Sequence, residues 1–315
     1  MSASSWFDGI PVLGDLPVAQ AAAKLHEMGE ETVAEQLIRG TQSTPGLSFS
    51  LPWSSSPRAK DYPYSHTTHA FGYIPPAAPG NTSLSIYSIS SIRADPTLRN
   101  NRLKITLDRL RAASYPGKGM HHILIHFFGK NQLPGKEEEL HFNATYRVQS
   151  GEHAAIQGYP IFVGLTVGGE GISFRCRTIN IKNEDDEAFL KFLDSDAFTS
   201  GLKLATVAQP AIEPLSKMAL GIARMVASRH QNVSIQDFDL GLDFSQITTR
   251  APLAEGSYVA VQVPERDNII WNWDEWIYQR TSGLIIKKNN AEKTLPHNYL
   301  VFSISRYEED EGISI

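Results

Sequence analysis

Leu140-His141-Phe142-Asn143-Ala144-Thr145-Tyr146-Arg147-Val148 alternates between apolar and polar at every step. Successive side chains of a strand point to opposite faces, so this stretch predicts a strand with one buried and one open face. The same period runs through Leu103, Ile105 and Leu107 against Lys104, Thr106 and Asp108. It returns in Phe238, Leu240, Leu242 and Phe244 against Asp237, Asp239, Gly241 and Asp243. Further strands are predicted at 68–73, 83–92, 122–128, 161–167, 172–181, 258–263, 269–278, 284–287 and 299–305. So many short strands, separated by turns rich in Gly and Pro, predict a mainly β chain folded as an antiparallel β-sandwich. Gly168-Gly169-Glu170-Gly171 lies between two of these strands and reads as a hairpin turn.

Three helical stretches accompany the strands. At the N-terminus, Asp15 is an N-cap candidate with Pro17 just inside, and Val18, Ala21, Ala22, Leu25 and Met28 keep helical spacing. Val33, Ala34, Leu37 and Ile38 continue it toward Gly40, and Gly29 marks either a tolerated defect or the junction of two helices. Two helices are expected as insertions between strands. One is capped by Asn183 ahead of an acidic first turn; the other begins at Pro214 and runs to about His230. The second is apolar around much of its circumference, with Leu220, Ala223 and Ala227 on the side away from its main stripe. The expected organisation is a helical segment at 1–40, a linker or extended arm at 41–66 rich in Ser, Pro and Gly, and a β-sandwich domain at 67–315. Trp53, Tyr62 and Tyr64 predict that part of the arm is pinned down.

Composition removes several classes. The chain has 315 residues, 29 basic against 34 acidic, for a net charge of −5. That balance excludes a strongly basic nucleic-acid binder. Cys176, the single cysteine, excludes an internal disulfide and zinc modules built on several cysteines. No basic export signal and no long apolar run occurs, so no transmembrane segment and a cytoplasmic location are expected.

Residues with chemical potential are few. Asp237, Asp239 and Asp243 project from one strand face, a costly arrangement in a sheet. Calcium would offset that repulsion; so would Arg175 and Arg177, which share a face of their own strand. His66 and His69 form a candidate zinc pair, with His121, His122, His126 or His141 as a third ligand. On a strand, however, His122 and His126 stand about 13 Å apart and cannot share an ion. Trp271 and Trp273 would share one face of a strand as a recognition platform or a core pair. No nucleophile elbow or phosphate loop occurs.

The amphipathic strand Leu103-Lys104-Ile105-Thr106-Leu107-Asp108-Arg109-Leu110 and the closing strand Tyr299-Leu300-Val301-Phe302-Ser303-Ile304-Ser305 are similar to those of C2-type sandwiches. That resemblance implies a C2-like topology. A calcium-dependent membrane-docking module is a further reading. The reading that uses most features is a non-enzymatic interaction or assembly protein with no cofactor. Its partner is another protein or a further copy of the chain, met through Leu220, Ala223, Ala227, Trp271 and Trp273. A metal-dependent hydrolase built on the histidines is the enzymatic alternative.

Overall fold

The computed structural model describes residues 7–42, 52–53, 62–133, 136–154, 156–181, 232–245, 251–268 and 270–307. The helices expected after Asn183 and Pro214, with Leu220, Ala223 and Ala227, lie outside the described residues. Helices α1 (Val18–Glu27) and α2 (Glu31–Gln42) come first, and a short helix α3 (Glu265–Asn268) comes late. The strands in chain order are β1 (Thr68–Ile74), β2 (Ser83–Ser85), β3 (Tyr87–Ser88), β4 (Arg102–Ala112), β5 (Met120–Leu133), β6 (Lys136–Gln149), β7 (Glu152–His153) and β8 (Tyr159–Thr166). They continue with β9 (Gly171–Ile181), β10 (Val233–Asp243), β11 (Ala251–Pro252), β12 (Gly256–Val263), β13 (Trp276–Gln279), β14 (Leu284–Lys287), β15 (Asn290–Thr294) and β16 (Tyr299–Arg306).

These strands make three sheets, mainly antiparallel as expected. A central sheet runs β3-β1-β12-β16-β4-β7, with β8 also on β4. A second runs β11-β10-β9-β5-β6 and a smaller third runs β15-β14-β13-β2. Among the described residues the one parallel strand pair is β10 with β11.

Two apolar cores separate the layers. Leu103, Ile105 and Leu107 of β4 and Leu300 and Phe302 of β16 face Ile123, Ile125 and Phe127 of β5 and Phe174 of β9. Phe302 bridges the sheets directly, 5.1 Å from Phe174 and 6.2 Å from Phe127 between ring centroids. On the opposite face of the central sheet, Val259 and Val261 of β12 and Val301 of β16 pack with Ile285 of β14 and with Trp273. Strands β12 and β16 are therefore covered on both sides, which is why their sequences read as near-continuous apolar runs rather than alternations. Each large apolar side chain buried this way contributes roughly 1.5 to 3 kcal/mol.

The N-terminal segment belongs to the first core. Val18, Ala21, Ala22, Leu25 and Met28 of the α1 region and Val33, Ala34 and Leu37 of α2 are buried in the same cluster as the sandwich strands. The helical stretch is two helices, not one. Gly29, at φ 79°, takes the left-handed conformation that ends α1, and α2 begins at Glu31. Two boundaries differ from expectation. Asp15 lies in a 3₁₀ turn, leaving Pro17 as the N-cap, and α2 runs past Gly40 to Gln42. Part of the arm is pinned: Trp53 is buried and donates from Nε1 to the Leu13 carbonyl at 3.0 Å, and Tyr64 is buried beside it.

Three strand expectations are corrected. Gly168–Gly171 is no hairpin, because β8 pairs with β4 in the central sheet while β9 pairs with β5 and β10 in the second. The segment carries the chain between layers. Gly171, at φ 122°, lies so close to the Leu242 carbonyl that a Cβ would collide with it. The stretch 83–92 splits into β2 and β3, which join different sheets, with Ile86 buried between them. The stretch 269–278 is a strand only from Trp276. Asn272 accepts the Asp274 N–H on its side-chain oxygen at 3.0 Å, and this local bond turns the backbone into a 3₁₀ turn at Trp273–Glu275.

Candidate functional site

The turn at Asn272 gives the two tryptophans different surroundings, although their rings still meet edge-on at 5.6 Å. Trp273 is buried and its Nε1 donates to the Phe71 carbonyl at 3.1 Å. Its indole lies on Gly72 of β1, where a Cβ would stand 2.8 Å from the ring. Trp273 is thus a core pillar, not a member of a shared surface platform. Trp271 is half-buried, stacked on Trp276 (centroids 6.5 Å, planes 7° apart) and edge-on to Trp273 and His297, each at 5.6 Å. Ile270, next to it, is 76% exposed, the most exposed large apolar residue among those described. The result is an apolar ledge at residues 270–276. It carries Glu265, Asp267, Asp274 and Glu275 in its own segment, against Arg266 alone.

The acidic strand face is an ion-pair cluster. Arg175 grips Asp237 with two parallel bonds, Nε to Oδ1 at 2.8 Å and Nη2 to Oδ2 at 2.7 Å. Arg177 donates to Asp237 Oδ2 from Nε at 3.1 Å and from Nη2 as well. Asp8 adds a second carboxylate, 3.1 Å from Arg175 and 3.6 Å from Arg177, and the Phe7 carbonyl accepts from Arg177. Burial works against the charge of Asp237, but the two guanidiniums hold its carboxyl below the usual range. Asp239 is exposed and registers opposite Arg175, while Asp243 closes a turn by accepting from Ser245 N–H and Oγ at 2.9 and 2.8 Å. Asp237 and Asp243 stand about 20 Å apart along β10, too far to share an ion. The three aspartates do not converge.

The histidines disperse as well. His69 is buried on β1 with Nδ1 3.1 Å from the Thr67 carbonyl and its ring 4.9 Å from Phe238. Burial lowers its pKa to about 4. His66 precedes the strand, and its carbonyl accepts from Gln262 at 2.5 Å. His126 and His141 bond to each other at 3.1 Å, and His121 meets Ser150 at 2.8 Å. Among the described residues no group of three His, Cys, Asp or Glu side chains is placed to hold a metal. Nor is any described helix long and apolar enough to cross a membrane.

One constellation escapes the sequence reading. A cavity of about 340 Å³ opens between the central and third sheets, lined in part by Asp108, Arg109, Ser257, Ser303, Tyr278 and Arg280. A β-bulge lies in its lining. Phe302 registers with Leu107 and Val301 with Arg109, so Asp108 is the extra residue. Leu107 and Leu110 both face the core, and Asp108 and Arg109 are turned together toward the other side. Asp108 accepts from Thr106 Oγ1 at 3.0 Å and from Ser303 Oγ, and Ser303 Oγ lies 2.7 Å from Ser257 Oγ. Burial raises the Asp108 pKa against the opposing pull of these hydroxyls and of Arg109. A signal was there to read: the apolar spacing of two through Leu103, Ile105 and Leu107 breaks to three before Leu110.

No protein-family model, no curated protein and no solved structure matches the chain.

Proposed function

We propose that the protein is a non-enzymatic interaction module that binds a protein partner through the ledge at Ile270, Trp271 and Trp276. The observation that carries this reading is Ile270, 76% exposed beside a stacked tryptophan pair. Interfaces concentrate their energy in a few aromatic and aliphatic anchors inside a polar rim. The residues 265–276 supply that pattern, with four carboxylates against one arginine, although Glu275 pairs with Lys287 and Asp267 with Arg266. The complementary partner offers an apolar pocket rimmed by basic groups.

Burying Ile270 would contribute about 2 kcal/mol, or roughly thirtyfold in affinity. The test is affinity capture with the wild-type chain and with Ile270→Glu, followed by titration of the purified captured protein. A partner whose affinity drops at least tenfold with Ile270→Glu, and which weakens as salt rises, supports the reading. Capture of the same proteins with the same affinities by both chains overturns it.

A further inference from the structure

We propose that the cavity at the Asp108 bulge is a binding site for a small hydroxylated anion of the sugar-phosphate class. The direction of its hydrogen bonds follows from proton counting. A hydroxyl carries one proton, and Ser303 spends its own on the Asp108 carboxylate. The 2.7 Å bond between Ser303 and Ser257 is therefore donated by Ser257. The chain runs Ser257 to Ser303 to Asp108, and it leaves Ser257 Oγ as a pure acceptor on the cavity lining. This serine–aspartate side of the cavity asks for donors, which ligand hydroxyls supply.

The arginines ask for the opposite. Arg109 and Arg280 both line the cavity. Arg109 also interacts with Tyr278, which lines the same cavity. The Arg109 guanidinium packs on Gly283, where a Cβ would overlap it. Arg280 is exposed on the same lining, and a guanidinium there suits a phosphate, which accepts along several directions at once. Leu84, Pro75 and Pro76 give the site an apolar wall. Acceptors, cationic donors and an apolar wall within about 340 Å³ match a monosaccharide carrying one phosphate.

Thermal unfolding of the full chain with glucose 6-phosphate, glucose, inorganic phosphate and citrate, each at 10 mM, tests this. Glucose 6-phosphate should raise Tm by about 3 °C or more, and by more than any of the other three. Arg280→Gln should abolish the rise, and because Arg280 is exposed its fold is kept. Ser257→Ala should at least halve it, and far-ultraviolet circular dichroism confirms that both variants fold. No rise with glucose 6-phosphate, an equal rise with inorganic phosphate or citrate alone, or a rise untouched in Arg280→Gln overturns the proposal.

Discussion

Arg175 meets Asp237 side-on, with Nε 2.8 Å from Oδ1 and Nη2 2.7 Å from Oδ2, and Arg177 shares the same carboxylate from the next outward position of β9. Arg177 has only 4% of its side chain exposed and Asp237 10%. Breaking such a pair leaves a buried charge without its counter-ion. Asp237→Ala should lower stability by about 3 kcal/mol, whereas Asp239→Ala, at an exposed position, should stay within about 0.5 kcal/mol. Urea denaturation of the two variants checks the contrast, and a larger loss for Asp239→Ala would contradict the geometry.

Stability should fall with pH on the acid side of neutrality. From an ordinary 6.5, burial depresses the pKa of His69 and His141 to about 4 and also holds that of His126 well below its usual value. The unfolded chain binds these protons near 6.5 and the folded chain only at lower pH, so the unfolded state holds more protons in between. The stability is full above 6.5 and is lost progressively as pH drops toward 4. His69 alone accounts for on the order of 1 to 3 kcal/mol. Denaturation midpoints across that window should fall, and His69→Phe should flatten the slope.

Gly171→Ala should destabilise by about 2 kcal/mol or more, because a left-handed φ and the Leu242 carbonyl both exclude a side chain. Gly169→Ala, with open space around it, is the matched control. Equal midpoints for the two would show that the chain crosses between sheets in another way.

The tryptophans should separate by role. Trp273→Ala should cost about 3 to 5 kcal/mol, since it empties the second core and strands the Phe71 carbonyl. Ile270→Ser should leave stability within about 0.5 kcal/mol. The melting temperatures of the purified variants decide this.

Deleting residues 1–40 should expose the core surface that Val18, Leu25, Val33 and Leu37 cover. Dye binding and aggregation should rise. A truncated chain that stays soluble, monomeric and equally stable would contradict the packing described above.

The candidate site was legible only in part. The sequence singled out Trp271 and Trp273, but their roles depended on Asn272, whose side chain competes with the strand for the backbone N–H of Asp274. Arg175 and Arg177 were legible as partners for the aspartates, because alternation puts them on one face. Asp108 was visible as a polar strand residue at a break in the apolar spacing. Its neighbours in the cavity, Ser257 and Ser303, lie about 150 to 195 positions away, so no local pattern could join them.

The sequence by itself determined that the chain is mainly β, which segments form most of the long strands, and that the N-terminal apolar stripe is helical. Those properties rest on side-chain period and backbone preference, which act over a few residues. Only the tertiary structure decided that β8 and β9 join different sheets and that a third sheet covers the central one. It alone placed Asp108, Ser303 and Ser257 in one hydrogen-bonded chain. Strand pairing is a contest among distant segments for the same backbone donors and acceptors, and its outcome is set by which faces can be buried together.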